Sequence, residues 1–449
     1  MVPTGRTKWL VVIVVVFVFV FPVPNTQAVL DIDASLSVAE RYTDNLFFTF
    51  ANKRDDFGTF VTPSVSAVFS NKDIKVGMRY AASAQFYLNN SQANAVSHGT
   101  NMIIDLPFLN RKFKNLEVRI NESFNLSPSL PAFSANSSRF TGAAGGSGVG
   151  GGAAGSGGIG GAGGTGGAGV GGIGGIGSLA GNSLGNQGII NQRSSSLSFQ
   201  NRARILFLYH FDPRWDTSLQ YANSYRGGDS SQDSISHAVR TQIAYKLSEI
   251  TKLRGGYSIR FIEFTGGSGT STGTTTKGDA TSHSLNVGAD HLLQPTIPVN
   301  VRVAATVTET EASTTRLNFT GRGGISKIFP DGQISLRLSQ GIGTGGGLTN
   351  STTLNQSAVL TGSKAITRFI SAFLNFGYGR NRSLSGQSIQ TDTYQFRGGA
   401  SLRLLEWLSG GVTYSYTNQD SKGSVGNTAS SNSIWVGLTA TADTFKFFK

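Results

Sequence analysis

From Leu30 onward the chain alternates apolar and polar residues in segments of about 10 to 16 residues, separated by turn-forming residues. In "IKVGMRYAASAQFYL" the even positions are Ile74, Val76, Met78, Tyr80, Ala82, Ala84, Phe86 and Leu88. The odd positions include Lys75, Gly77, Arg79, Ser83 and Gln85. Period two predicts a strand with one apolar and one polar face. The same alternation runs through Leu116–Leu126, Leu197–Tyr209, Ile235–Leu247, Val299–Thr308 and Tyr394–Leu402. It returns in the last segment, "SIWVGLTATADTFKFF", at Ile434, Val436, Leu438, Ala440 and Ala442. Glu122 breaks the rule by falling on the apolar parity of its segment. No helical period persists after residue 29, so the chain is predicted to be all β.

The connections carry a second pattern. Long ones ("YTDNLFFTFANKRDD", "NNSQANAVS", "RGGDSSQDS", "TGGSGTSTGTTTKGDA", "ETEAST", "NQDSKGSVGNTAS") alternate with short ones ("SNKD", "LNRKFKN", "HFDPR", "LSEI", "IFPDGQ", "LLEW"). Long and short therefore fall on opposite ends of the strands. That is the signature of a transmembrane antiparallel up-and-down β-barrel with short periplasmic turns, long outer loops and both termini periplasmic. About 18 strands are predicted, enough to enclose an aqueous lumen. A sandwich would use shorter strands and would not sort loop lengths by end, and a solenoid would repeat residues. Tyr209, Trp215, Tyr245 and Phe445 fall near short-turn ends, and Phe86, Phe261, Tyr414 and Tyr416 near long-loop ends, as two interfacial girdles require.

Between the fifth and sixth strands lies a low-complexity stretch, residues 135–192, in which Gly142–Gly177 has 22 glycines among 36 residues and no charge. Glycine loses the most backbone entropy on ordering and buries nothing in return, so this is a loop, the third outer one. It lacks the strict period and proline of collagen and the Asp of a calcium-binding repeat. Two readings stand: a soft constriction folded into the lumen, or an insertion outside the barrel.

Composition adds location. Arg6 and Lys8, the apolar run Trp9–Phe21, and the small residues Thr26 and Ala28 predict a cleaved signal peptide over 1–28, leaving 29–449 as the barrel. The apolar run is shorter than the roughly 18 residues of a membrane span. Removing two cations lowers the formal net charge of +13 to +11. The predicted location is the Gram-negative outer membrane, with outer-membrane lipid and the barrel-assembly machinery as partners. Apolar residues make up 38%, aromatic 10% and charged only 14%, which excludes a disordered chain. There is no cysteine, so thiolate metal sites and c-type haem are excluded, and no cofactor is expected.

The polar parity also carries the candidate chemistry. Lys75, Arg79, Arg119, Arg202, Arg204, Arg240, Lys246, Lys252, Arg254, Arg260, Arg302, Arg316, Arg322, Arg337, Arg368, Arg397 and Arg403 fall there. Seven acids oppose these 17 cations: Asp31, Asp33, Asp105, Glu117, Asp216, Asp290 and Asp443. Even if every acid pairs across strands, ten cations remain. An excess of one sign in a confined channel concentrates the opposite ion. Arginine outnumbers lysine 14 to 3 in this set, which suits bidentate recognition of carboxylate or phosphate. The pattern points to passage of anionic small solutes or an anionic polysaccharide. The alternative is a non-conducting barrel that anchors long surface loops for binding or assembly.

Other classes fit less well. His98, His210, His237, His283 and His291 lie apart, and no Ser/His/acid set can be assembled on one face, so an enzyme is not expected. The basic residues alternate with lipid-facing apolar ones and form no patch, so nucleic acid is not a partner.

At "ERYTDNLFFT" (Glu40 to Thr49), "RDDFGTFVTPSVSAVFS" and "SPSLPAFS" (Ser127 to Ser134), the chain resembles the outer-membrane β-barrel porin family that includes proteins associated with exopolysaccharide and PEP-CTERM sorting systems. The resemblance implies an outer-membrane location and a role in export of surface polysaccharide or protein. The glycine insertion is not part of that family's pattern.

Overall fold

The computed structural model describes residues 28–128, 197–228, 231–265, 279–310, 315–344, 352–383, 390–422 and 427–447. The expected signal peptide, apart from Ala28, and the glycine-rich stretch 135–192 lie outside the described residues.

Alternation has become eighteen long strands: β1 Val29–Thr43, β2 Asp56–Ser70, β3 Lys75–Tyr87, β4 Ala95–Asp105, β5 Leu116–Pro128, β6 Leu197–His210, β7 Trp215–Gly228, β8 Ser231–Lys246, β9 Thr251–Thr265, β10 Ala280–Gln294, β11 Ile297–Thr310, β12 Thr315–Phe329, β13 Gly332–Thr344, β14 Thr352–Ala365, β15 Ile370–Ser383, β16 Gln390–Arg403, β17 Leu408–Lys422 and β18 Asn427–Thr441. Each pairs antiparallel with the next, and β1 closes on β18 from Ser35↔Thr441 to Thr43↔Ser433. A short β19, Phe445–Phe447, completes the seam against Leu30–Ile32. The last segment is thus two strands and not one. The break spans Ala442–Thr444, where the Ala442 N–H donates to the Ala34 carbonyl and the Thr444 hydroxyl to Asp33. Asp443 sits in that break, exposed, so it leaves the inner wall to which its parity assigned it.

Short turns gather at one end and are closed by side-chain caps. Asp212 accepts the N–H groups of Arg214 and Trp215, Thr367 those of Phe369 and Ile370, and Asn71 those of Asp73 and Ile74. The β4–β5 connection is wider than its sequence suggested and carries one helical segment, Pro107–Lys112. At the other end strands run on past the apolar belt. "RGGDSSQDS", expected as a loop, is mostly a projecting hairpin, because β7 reaches Gly228 and β8 starts at Ser231.

The outer face is apolar and exposed: Leu285, Val287, Val301, Val303, Leu317, Phe319, Leu338, Val436 and Leu438 all point away from the barrel. An exposed apolar surface that circles the molecule is stable only in hydrocarbon. Trp215 and Tyr245 meet at a tilt, 4.5 Å apart, and Tyr209 and Phe211 meet at 4.8 Å near the short turns. Tyr42, Phe86, Phe261 and Tyr394 belong to the half nearer the long loops, giving the second girdle, while Tyr221, Tyr257 and Tyr414 lie near mid-strand. Glu122 is on this outer face, as its parity dictates, and takes a hydrogen bond from Asn201 at 3.2 Å.

An apolar core forms inside the barrel, at the long-loop end of the seam. The β1–β2 loop turns inward, burying Phe48 and packing Leu46, with Phe47 against it, on Ala39, Phe60, Tyr87, Ala93 and Trp435. The turn needs left-handed backbone at Phe48 (φ 50°) and Asn52 (φ 52°). Asn45 holds it, donating to the Thr49 and Ser430 carbonyls and accepting the Thr49 N–H. Arg41 lies over Trp435, 5.2 Å from the ring centroid, and Asp56 ties in the β3–β4 loop by accepting from Asn89 and Asn90.

Replacing Trp435 by Ala is expected to cost about 3–5 kcal/mol of folding stability, read as a lower urea midpoint for protein folded in lipid vesicles. Phe319→Ala, on the lipid side and 70% exposed, leaves no interior cavity and should cost clearly less. Equal losses would rule out an interior core at the seam.

Candidate functional site: the inner wall

The inner face is read off the register. One row runs Arg254, Gly288, Arg302, Arg322, Ser339 across β9 to β13, and the next runs Lys246, Lys252, Asp290, Asn300, Gly324, Arg337. Arg240 stands opposite Gln220 and Ser258, Arg204 opposite Asn121, Arg202 opposite Ser123, Arg260 opposite Ala238, and Arg316 opposite Thr308. Lys75, Asp105 and Arg119 form a row on β3 to β5, Arg79 faces Asn101, Arg397 faces Asn375 and Ser415, and Arg403 faces Ser409.

Arg368 of the predicted set is not on a strand. It lies in the exposed turn Ile366–Phe369, before β15 begins, with its guanidinium 4.6 Å from the Phe369 ring centroid. A tight turn breaks the alternation, so parity does not carry through it.

Close packing of the basic rows needs small neighbours. A Cβ on Gly288 would come within 2.6 Å of both Arg302 Cγ and the Val301 carbonyl oxygen, so glycine there lets the Arg302 stem lie across β10. Gly324 gives Asn300 similar room, 3.1 Å from its Nδ2.

Charge pairing accounts for only some cations. Asp105 binds Arg119 at 2.5 Å, Asp216 binds Lys252 and His210, and Asp290 binds Arg254 with both side chains buried. His210 Nε2 also lies 3.6 Å from Glu117. Among the described residues, no carboxylate forms an ion pair with Arg202, Arg204, Arg240, Arg260, Arg302, Arg316 or Arg322. Arg240 is near enough to Arg204, Arg260, Arg302 and Arg322 for their like charges to act on one another. Such a cluster persists without carboxylates only where water or a diffusible anion can reach it.

The wall is uneven. The basic rows are densest from β5 to β13, whereas β13 to β18 and β1 to β3, which carry Arg397, Arg403, Arg41, Lys75 and Arg79, are richer in hydroxyl pairs: Ser335–Thr361, Ser339–Ser357, Ser371–Ser401, Ser415–Ser433, Ser37–Thr439, Ser35–Ser64 and Thr62–Ser83, all between 2.5 and 2.8 Å. Sequence reasoning recorded the cations and passed over the hydroxyls, although each sits on the same parity. It also passed over Arg41, the residue just before the stretch read as a loop from Tyr42; the residue faces inward at 1% exposure.

Four of the five histidines are on the outer face. His98, His237 and His283 each share a hydrogen bond with a diagonal tyrosine, Tyr80, Tyr221 and Tyr257, and His291 with Thr251. His210 is the inward one.

A closed strand wall, apolar outside and polar inside, defines a membrane-spanning β-barrel. No protein-family model matches the chain. No curated protein sequence matches it. Among solved structures it is similar to the outer membrane protein OpdK from Pseudomonas aeruginosa, with 10% identity over 92% of this chain and 99% of that one and a TM-score of 0.45. It is similar also to OccAB4 of Acinetobacter baumannii (8% identity, 93% and 100% covered, TM-score 0.43). A loop L8 deletion mutant of OmpT, an outer membrane protein of Vibrio cholerae, gives 13% identity, 93% and 100% covered and a TM-score of 0.37. At these values the likeness decides nothing further, and the architecture rests on the chain's own register.

Gly288→Val should destabilise the barrel by about 1–3 kcal/mol by pushing on Arg302 and the β11 backbone. The urea midpoint in vesicles measures it, and an unchanged midpoint would show that Arg302 does not lie over Gly288.

Proposed function

We propose that the chain is an outer-membrane channel with a basic, arginine-rich lumen that passes anionic solutes. The observation behind it is the group Arg202, Arg204, Arg240, Arg260, Arg302, Arg316 and Arg322 on β6 to β12, none of which forms an ion pair with a carboxylate among the described residues. Confined positive charge raises the local concentration of anions and excludes cations. Guanidinium groups fit carboxylate and phosphate in paired hydrogen bonds, so a file of them can pass an anion from one to the next.

The finer reading is passage of a carboxylated or phosphorylated polysaccharide. The mixed lining supports it: arginines meet the anionic groups, and the hydroxyl pairs, most numerous on β13 to β18 and β1 to β3, offer donors and acceptors to sugar hydroxyls. In this reading residues 1–28 direct export and are removed, the barrel-assembly machinery inserts the chain, and no cofactor takes part.

Planar-bilayer recording in a potassium chloride gradient tests the reading. Anion preference is expected, and Arg240→Ser with Arg260→Ser, Arg302→Ser and Arg322→Ser should bring the chloride-to-potassium permeability ratio toward one. Cation preference, or a sealed barrel, would overturn it.

A further inference from the structure

The outer face carries a second group of cations, and it is confined to one place. Among the described residues, the cations on the lipid-facing parity of the long-loop half are Arg380 and Arg382 on β15 and Lys422 on β17. Register sets them on adjacent strands: Arg380 opposite Asp392 and then Asp420, and Arg382 opposite Gln390 and then Lys422.

Arg380 is positioned with unusual care for a surface side chain. Its Nε donates to Asp392 Oδ1 at 2.6 Å, while the Tyr378 hydroxyl donates to the same oxygen at 2.9 Å and Gln390 Nε2 to the other at 3.0 Å. The Asp392 side chain is 7% exposed and that of Arg380 43%. The carboxylate is therefore consumed in holding Nε, and among the described residues no hydrogen bond engages the two terminal guanidinium nitrogens. Among the described residues no carboxylate pairs with Arg382, which is exposed beside it. Beneath the charges are Tyr378 and Tyr394, tilted against each other at 5.1 Å, and then the exposed Phe376 and Leu374 of the apolar belt.

We infer that this end of β15–β17 is a headgroup site for a phosphorylated glycolipid of the outer leaflet. Paired arginines match phosphate oxygens. Continuity with Phe376 and Leu374 places acyl chains directly below the headgroup, which a free phosphate in water would not use. The inference rests on the outer-membrane reading above.

The test uses the full chain folded in detergent micelles, titrated with diphosphoryl lipid A and followed by native mass spectrometry. Wild type should retain the lipid, and Arg380→Ser with Arg382→Ser should weaken it by about tenfold or more. Asp392→Asn keeps both cations but loosens Arg380, so a smaller loss is expected there. The lumenal pair Arg240→Ser with Arg260→Ser should bind as wild type does. Unchanged binding in the Arg380/Arg382 variant, equal loss in the lumenal one, or competition by inorganic pyrophosphate at matched concentration would overturn the site. A chain that conducts in bilayers yet retains no lipid overturns this inference alone, whereas one that never inserts overturns both.

Discussion

A backbone amide that faces hydrocarbon finds no water to bond, so a sheet in a bilayer must have no free edge. Everything else in this chain follows from meeting that condition. The first strand has to find the last, and Ser35 to Thr43 do so along Ser433 to Thr441. The closure pairs nine positions of β1 where β2 pairs fifteen, and it gains support at both ends. β19 extends it at the short-turn end, and the folded-in loop with Leu46, Trp435 and Arg41 packs over it at the other. That distribution makes physical sense. Neighbouring strands elsewhere are joined directly by a turn or loop, whereas β1 and β18 stand at opposite ends of the chain and pay the full entropy of bringing distant segments together.

Much of this was legible because a closed barrel writes its geometry into parity. Once Val76, Met78 and Phe86 face lipid, Lys75 and Arg79 must face the lumen, and no tertiary knowledge is needed. Parity fails where a strand ends, which is why Arg368 and Asp443 were misassigned: one lies in a turn and the other in the break before β19. Glu122 looked like evidence against its strand and is instead a real outward carboxylate, with Asn201 supplying a partner. Contacts between distant segments were invisible. Nothing local in "ERYTDNLFFT" shows that Arg41 meets a tryptophan from the opposite end of the chain, or that the following loop bends inward.

The inner and outer faces are chemically independent, since each residue commits to one of them. The wall can thus be strongly basic without touching the belt that anchors it. Within the wall, burial separates two kinds of arginine. Arg254 is held by Asp290 with both side chains nearly covered, and breaking such a pair strands a charge in low dielectric, so it serves structure. Arg240, Arg260 and Arg322 have no such carboxylate, stand near one another, and gain nothing for the fold from that proximity.

Like charges that repel lower stability, and a stable barrel could be built from neutral residues at those positions, as β14, β17 and β18 show with Ser, Thr and Asn. The arginines therefore need an explanation outside the folded state. On the proposed function a diffusible anion would supply one, since each ion that entered would relieve repulsion among several guanidinium groups at once. Repulsion among empty sites also keeps any single anion from binding too firmly to leave, because its neighbours compete for it. Conduction requires that balance between entry and release. A row of isolated, salt-bridged cations could not provide it, which is why the missing carboxylates carry more weight than the count of arginines.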